Sequence, residues 1–222
     1  MRILLFGATG MVGQGVLREC LLSPAVEAVT AIGRSVVDVS DPKLTHIVRS
    51  DLLNYSDIED RLTGFAACFF CLGVSSASVS AEEYERITYG IALAAAETLV
   101  RLNPGMTFEY ISGAGTDSSE SGRIRWARVK GRTENAIMKL PFAAAYALRP
   151  AMIQPLHGIR SKTRWYRAMY VLMGPLLTTA RRLAPAWVTS TEDVGRAMLK
   201  LAAKGDGIGV IENRGINELA KS

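Results

Sequence analysis

Near its start the chain reads Gly7-Ala8-Thr9-Gly10-Met11-Val12-Gly13, three glycines spaced three residues apart. That spacing suits a pyrophosphate. Gly7 allows a tight turn out of a strand, Gly10 lets the main chain approach the phosphates, and Gly13 lets the next helix pack closely on the strand. Thr9, Met11 and Val12 fill the turn, and the free N–H groups of a helix start favour negative charge there. The plainer alternative is a βα turn that merely uses glycine. Further along lie three side chains with reactive chemistry. Ser112 can hydrogen-bond to a carbonyl, Lys130 carries a cation, and His157 carries an imidazole, a candidate proton donor.

Three more signals fall where a dinucleotide would need them. The run Ile32-Gly33-Arg34-Ser35 ends an apolar segment with a cation and a hydroxyl. An acid at that point would accept from a ribose 2′-hydroxyl, whereas an arginine pairs with a 2′-phosphate. The expected cofactor is therefore NADP(H), with NAD(H) as the second choice; the alternative is a plain surface arginine. Asp51, next to Leu52, can accept from an adenine amino group or serve as a turn aspartate. In Cys71-Leu72-Gly73, Gly73 lets the backbone lie along a ribose, and Ser75 follows on the substrate side. Signals at the ends of successive strands describe one crevice.

The elements that must position these residues alternate along the chain. Apolar runs at 2–6, 28–32, 46–48, 67–71, 107–111 and 144–148 read as strands; 11–22, 56–61, 81–102 and 122–139 read as helices. Near-continuous apolar strands separated by helices indicate an α/β protein with a doubly wound parallel sheet, in three layers. After Arg149-Pro150 the pattern changes. A long apolar and basic stretch spans 161–184, a helix is expected at 191–203 with Ser190 or Thr191 as its cap, and a last strand at 209–211. Residues 1–222 are read as one domain, with 151–222 supplying a small helical cap on the substrate side.

Composition narrows the partners. The chain has 222 residues, 49% of them hydrophobic, enough for a sizeable core, and a net charge of +5 that suits an anionic ligand. Nucleic acid is not expected: the basic cluster Arg123, Arg125, Arg128, Lys130 and Arg132 has only Trp126 interleaved. A solvated face, an anionic-substrate funnel and a partner surface remain its three readings. For 161–184 a lid or partner-facing helix is favoured over contact with a membrane surface, and a homo-oligomer is left open. No apolar stretch reaches the ~18–20 residues that span a bilayer, and no secretory signal precedes the first strand, so a cytoplasmic location is expected. Cys68 and Cys71 lie three apart on a strand, on opposite faces, and read as packing residues rather than a redox pair. With His46 and His157 the only histidines, no zinc cluster and no metal site is expected.

Tyr110-Ile111-Ser112-Gly113-Ala114-Gly115, followed by Trp126-Ala127-Arg128-Val129-Lys130, resembles the short-chain dehydrogenase/reductase superfamily in its extended and atypical branches. These include NAD-dependent epimerase/dehydratase-like enzymes and non-enzymatic cofactor sensors. The resemblance covers roughly residues 1–150 and implies a Rossmann-like fold. It maps the family's active-site hydroxyl onto Ser112 and its Tyr-x-x-x-Lys pair onto Trp126 and Lys130. In that family the tyrosine is the acid/base, and the lysine binds the nicotinamide ribose and lowers the tyrosine pKa. An indole cannot titrate usefully, so Trp126 cannot take the tyrosine's part. Residues 126 and 130 still share a helix face, so Lys130 can keep its cofactor role. Two functions follow. One is an NADP(H)-preferring oxidoreductase or epimerase-like enzyme acting on a small molecule, with another proton donor, His157 among the candidates. The other is a dinucleotide sensor or interaction module without turnover.

Overall fold

The computed structural model describes residues 1–159 and 184–222. Nine strands are described: β1 (Arg2–Phe6), β2 (Ala28–Gly33), β3 (Leu44–Val48), β4 (Ala67–Phe70), β5 (Thr107–Ile111), β6 (Ala144–Arg149), β7 (Met152–Gln154), β8 (Val188–Ser190) and β9 (Gly207–Glu212). The helices are α1 (Met11–Leu22), α2 (Ala81–Glu85), α3 (Ala92–Leu102), α4 (Arg125–Met138), α5 (Thr191–Lys204) and α6 (Asn213–Leu219). Seven strands form one sheet in the order β3-β2-β1-β4-β5-β6-β9, every neighbouring pair parallel. β7 and β8 make a separate parallel pair.

Alternation along the strands builds two cores. Leu4, Phe6, Phe70 and Phe108 point to one face, where Ile91, Ala95 and Leu99 of the α3 run and Ile137 of α4 cover them. Ile3, Leu5, Phe69 and Tyr146 point to the other, under Val16 and Leu17 of α1, Met198 and Leu201 of α5 and Ile216 of α6. A parallel sheet buried on both faces needs apolar residues at consecutive positions, and β1 and β4 supply them. Cys68 lies in the first core and Cys71 packs against the second, so their side chains diverge as expected.

The C-terminal helices pack into the second core. α5 lies along α1, and the approach is close because both helices carry glycine at the crossing. A Cβ on Gly15 would sit 2.5 Å from Thr191 Cβ, and one on Gly195 2.8 Å from Glu19 Cγ. Ser190 caps α5 by accepting from Asp193 N at 3.0 Å, and Gly205, in the left-handed region at φ +67°, ends it. β9 then extends the sheet beside β6. The stretch 161–184 given to a lid or partner-facing helix lies, but for its last residue, outside the described residues.

Three expected helices differ in detail. Residues 56–61 form only a 3₁₀ turn at Glu59–Leu62. Asn54 Oδ1 takes the Ser56 N–H, and Tyr55 O takes that of Ile58, so short turns use the groups an α-helix would need. The 122–139 helix starts at Arg125, because Asp117 Oδ2 holds the Gly122 N–H at 2.7 Å. The 81–102 helix is interrupted by a π-helical stretch, Arg86–Ile91.

Candidate functional site

Strand order reverses between β1 and β4, and there the loops after the two strands part to leave a crevice. The glycine turn forms one wall. Gly7 has φ +77°, and a Cβ on it would lie 2.6 Å from Leu72 N; a Cβ on Gly13 would lie 2.1 Å from Gly7 O. Neither position admits a side chain. Among the described residues no side chain caps α1 and no acid stands in its first turn, an arrangement that suits an anion there. These features fit a dinucleotide pyrophosphate: the cradle is one that a Cβ would fill.

Two cavities open from this turn. The first, about 350 Å³, runs over the ends of β1, β2 and β4 and includes Arg34 and Ser35 on one side. The second, about 550 Å³, runs from Gly10, Met11 and Val12 across Leu72 and Gly73 to Ser112, Trp126 and Lys130. The two cavities share Gly10, Leu72 and Gly73, so they meet at the glycine turn.

At the reaction end, Ser112 is buried, and its Oγ lies 2.9 Å from Thr116 Oγ1. Thr116 donates its single proton to Gly113 O at 2.8 Å. Its oxygen therefore accepts from Ser112, whose lone pairs are left towards the cavity. Lys130 Nζ donates to Ser112 O at 3.1 Å and to Ile111 O at 3.5 Å. An ammonium has three donors, so one remains for the cavity. Burial pulls the Lys130 ammonium down to about 8, against the opposing pull of Glu134 one turn later. The Glu134 carboxylate is itself buried and held by Arg149, with Nε–Oε1 at 3.0 Å. Trp126 is half-buried, lines the same cavity, and sets its ring against Gly115, where a Cβ would come within 3.6 Å. The helix therefore presents Trp126 and Lys130 on one face beside Ser112.

No family model matches the chain. Among curated proteins it is 33% identical over 162 residues to protein FMP52-2, mitochondrial, of Scheffersomyces stipitis, covering 72% of this chain and 68% of that protein. To protein FMP52, mitochondrial, of Debaryomyces hansenii it is 27% identical, covering 99% and 96%. This chain belongs to the FMP52 family. Its fold is that of solved short-chain dehydrogenases and sugar-nucleotide epimerases. A UDP-glucose 4-epimerase of Thermotoga maritima superposes with a TM-score of 0.69 at 17% identity, over 100% of this chain and 81% of that one. A short chain dehydrogenase family protein of Francisella tularensis gives 0.65 at 13%, over 96% and 98%. A UDP-glucuronic acid 4-epimerase of Bacillus cereus, solved with NAD, gives 0.64 at 15%, over 96% and 77%. The FMP52 relatives correct one expectation: they are named as mitochondrial proteins, which overturns the cytoplasmic assignment.

Within this FMP52-family chain the other candidates are not all brought together. Arg34 is exposed on the crevice wall, with no ion pair among the described residues. Asp51 is not in the crevice lining; its Oδ1 accepts from Leu53 N at 2.8 Å, the turn aspartate of the alternative reading, and Ser50 and Leu52 line the wall instead. Ser75 is folded into its own turn, its carbonyl accepting from Ser78 Oγ at 2.7 Å, while Val74 reaches the reaction cavity. His157 is separated from Ser112. It lines another cavity, against α1 and the loop after β2, and its Nε2 pairs with Glu192 at 2.5 Å. His157 is not among the residues that line the cavity of Ser112 and Lys130. The basic cluster is partly tied down: Arg128 donates to Gly122 O, and Arg132 pairs with Glu85 and lies 4.0 Å from the Tyr89 ring.

The sequence reading missed Thr116 as the Ser112 partner and Glu134 as the charge beside Lys130. A signal existed for Glu134, which follows Lys130 by four residues on a helix. It also missed Arg86, Ile87 and Ile91, which line the crevice from a π-helical stretch. Among the described residues no cluster of metal-ligand side chains occurs, and no helix is long and apolar enough to cross a membrane.

Proposed function

We propose that this chain is an NADP(H)-dependent oxidoreductase of the atypical short-chain dehydrogenase type, acting on a small carbonyl or alcohol, with Lys130 in place of the tyrosine as proton donor. The observation that carries the reading is the convergence of Ser112 and Lys130 on one cavity continuous with the glycine turn. Gly7, Thr9, Gly10, Met11, Val12 and Gly13 would hold the pyrophosphate, Arg34 and Ser35 the 2′-phosphorylated ribose, Leu52 the adenine, and Cys71, Leu72 and Gly73 the nicotinamide-side ribose. A bound dinucleotide supplies or accepts the hydride. In the reducing direction, the Ser112 hydroxyl turns from Thr116 to the substrate carbonyl oxygen. As a C–H bond forms at the carbonyl carbon, the C=O π pair moves to oxygen. The Lys130 ammonium gives that oxygen its proton and is recharged from solvent. A lysine near 8 is still mostly protonated at neutral pH yet close enough to give up the proton, the condition for general acid catalysis. Trp126 stacks at the mouth and takes no proton.

The test is turnover of NADPH with a panel of aldehydes and ketones. Reduction should fall as pH rises through about 8, because the acid form of Lys130 is lost. Lys130→Met should cost about 10²–10⁴-fold in kcat, the usual weight of a positioned acid. The second reading, a sensor that binds without turnover, is favoured by the indole at position 126. It is supported if the wild type binds NADPH but reduces nothing while Trp126→Tyr gains activity, and that outcome overturns the Lys130 assignment.

A further inference from the structure

The stretch Arg86–Ile91 is π-helical and borders the crevice. Pairing i→i+5 widens the turn, so residues five apart return to the same face. Arg86, Ile87 and Ile91 all line the crevice. Arg86 and Arg34 line the same cavity. Its guanidinium makes two parallel bonds to Glu83, Nε–Oε2 and NH2–Oε1, both 2.8 Å. The Glu83 carboxyl is held below its ordinary range, first by the Arg86 bonds and also by the charge of Arg34. Asp51 adds to the negative field at Arg86. One carboxylate therefore lies within the field of two arginines that line the same crevice.

We infer that Arg86 is a second 2′-phosphate ligand, and that Glu83 holds its guanidinium in the cofactor-free protein until the phosphate displaces it. The inference rests on the proposed NADP(H) preference and deepens it. A phosphate monoester has the acceptor geometry of a carboxylate and a larger charge, so it competes for the same fork. Arg86 is half exposed, so the exchange needs no repacking of the core. The arrangement predicts a sign that a mere surface ion pair does not. Removing Arg86 weakens NADPH alone, and removing the Glu83 charge strengthens NADPH alone.

The experiment is a titration of the full chain with NADPH and NADH, and with adenosine 2′,5′-bisphosphate against adenosine 5′-monophosphate as probes of that end alone. Arg86→Gln should weaken NADPH and the bisphosphate by about tenfold, the scale of one charge-assisted bond, and change NADH and the monophosphate less than about twofold. Glu83→Gln should tighten the two 2′-phosphorylated ligands and leave the others unchanged. Wild type binding NADPH no better than NADH overturns the cofactor preference and this inference with it. If wild type prefers NADPH, Arg34→Gln abolishes the preference and Arg86→Gln retains it, the inference alone fails. Equal weakening of all four ligands by Arg86→Gln also overturns it, as a general effect on the crevice.

Discussion

Single residues decide both the chemistry and an unexpected cost. Ser112 and Lys130 could be singled out through the resemblance of Tyr110–Gly115 and Trp126–Lys130 to the dehydrogenase motifs, and both line one cavity. Glu134 carried a signal in its i,i+4 spacing from Lys130, but its burial, and the hydroxyl pair of Thr116 with Ser112, are created only by packing. Glu109 is the clearest case. It lies on β5 between Phe69 and Tyr146, wholly buried, and neither carboxylate oxygen has a hydrogen-bond partner among the described residues. Burial pushes its pKa well above the ordinary value of 4.5. The folded state thus binds this proton more tightly than the unfolded chain. Stability is fully present below the unfolded value and falls as pH rises towards the folded one. Glu109→Leu should therefore raise the melting temperature at pH 8 by several degrees, at about 2–4 °C per kcal/mol for a chain of this size. The gain should be smaller at pH 5. Equal gains at both values would show that the carboxyl does not titrate in the core.

At the scale of elements, glycines set how closely helices approach. The sequence shows Gly7, Gly10 and Gly13 as a motif, and their roles follow from strand–turn–helix order. Gly15 and Gly195 carry no motif, because their partner helix is about 180 residues away in sequence. There α1 and α5 also share buried Glu19, which meets Arg18 and, at 3.2 Å, Arg196 Nε. Gly195→Val should push Glu19 aside and cost roughly 1–3 kcal/mol, as overpacking does, measured by chemical denaturation. An unchanged midpoint would mean the two helices can separate freely. The same distance effect explains why 209–211 could be expected as a last strand but given no neighbour in the sheet. What attaches it to the sheet is register with β6, not local pattern. The π turn was likewise hidden, since Arg86–Ile91 has ordinary helix formers around it and its irregularity lies in hydrogen-bond spacing.

For the molecule as a whole, strand order makes the site. The reversal between β1 and β4 gathers the glycine turn, the β2 end and the β4 loop on one rim, while β5 and α4 bring Ser112 and Lys130 to its far end. The alternation of apolar strands and helices made this architecture readable, because each element announces its own burial. A ligand that binds only the folded chain must stabilise it, by about 2.7 kcal/mol at a hundredfold excess over Kd. The most direct test of the account is therefore equilibrium titration of the wild-type chain with NADPH and NADH, read by nicotinamide fluorescence and by the melting temperature. Saturable binding of NADPH, tighter than that of NADH, with a rise in melting temperature is the predicted result. Neither nucleotide binding, with the melting temperature unmoved, would contradict it.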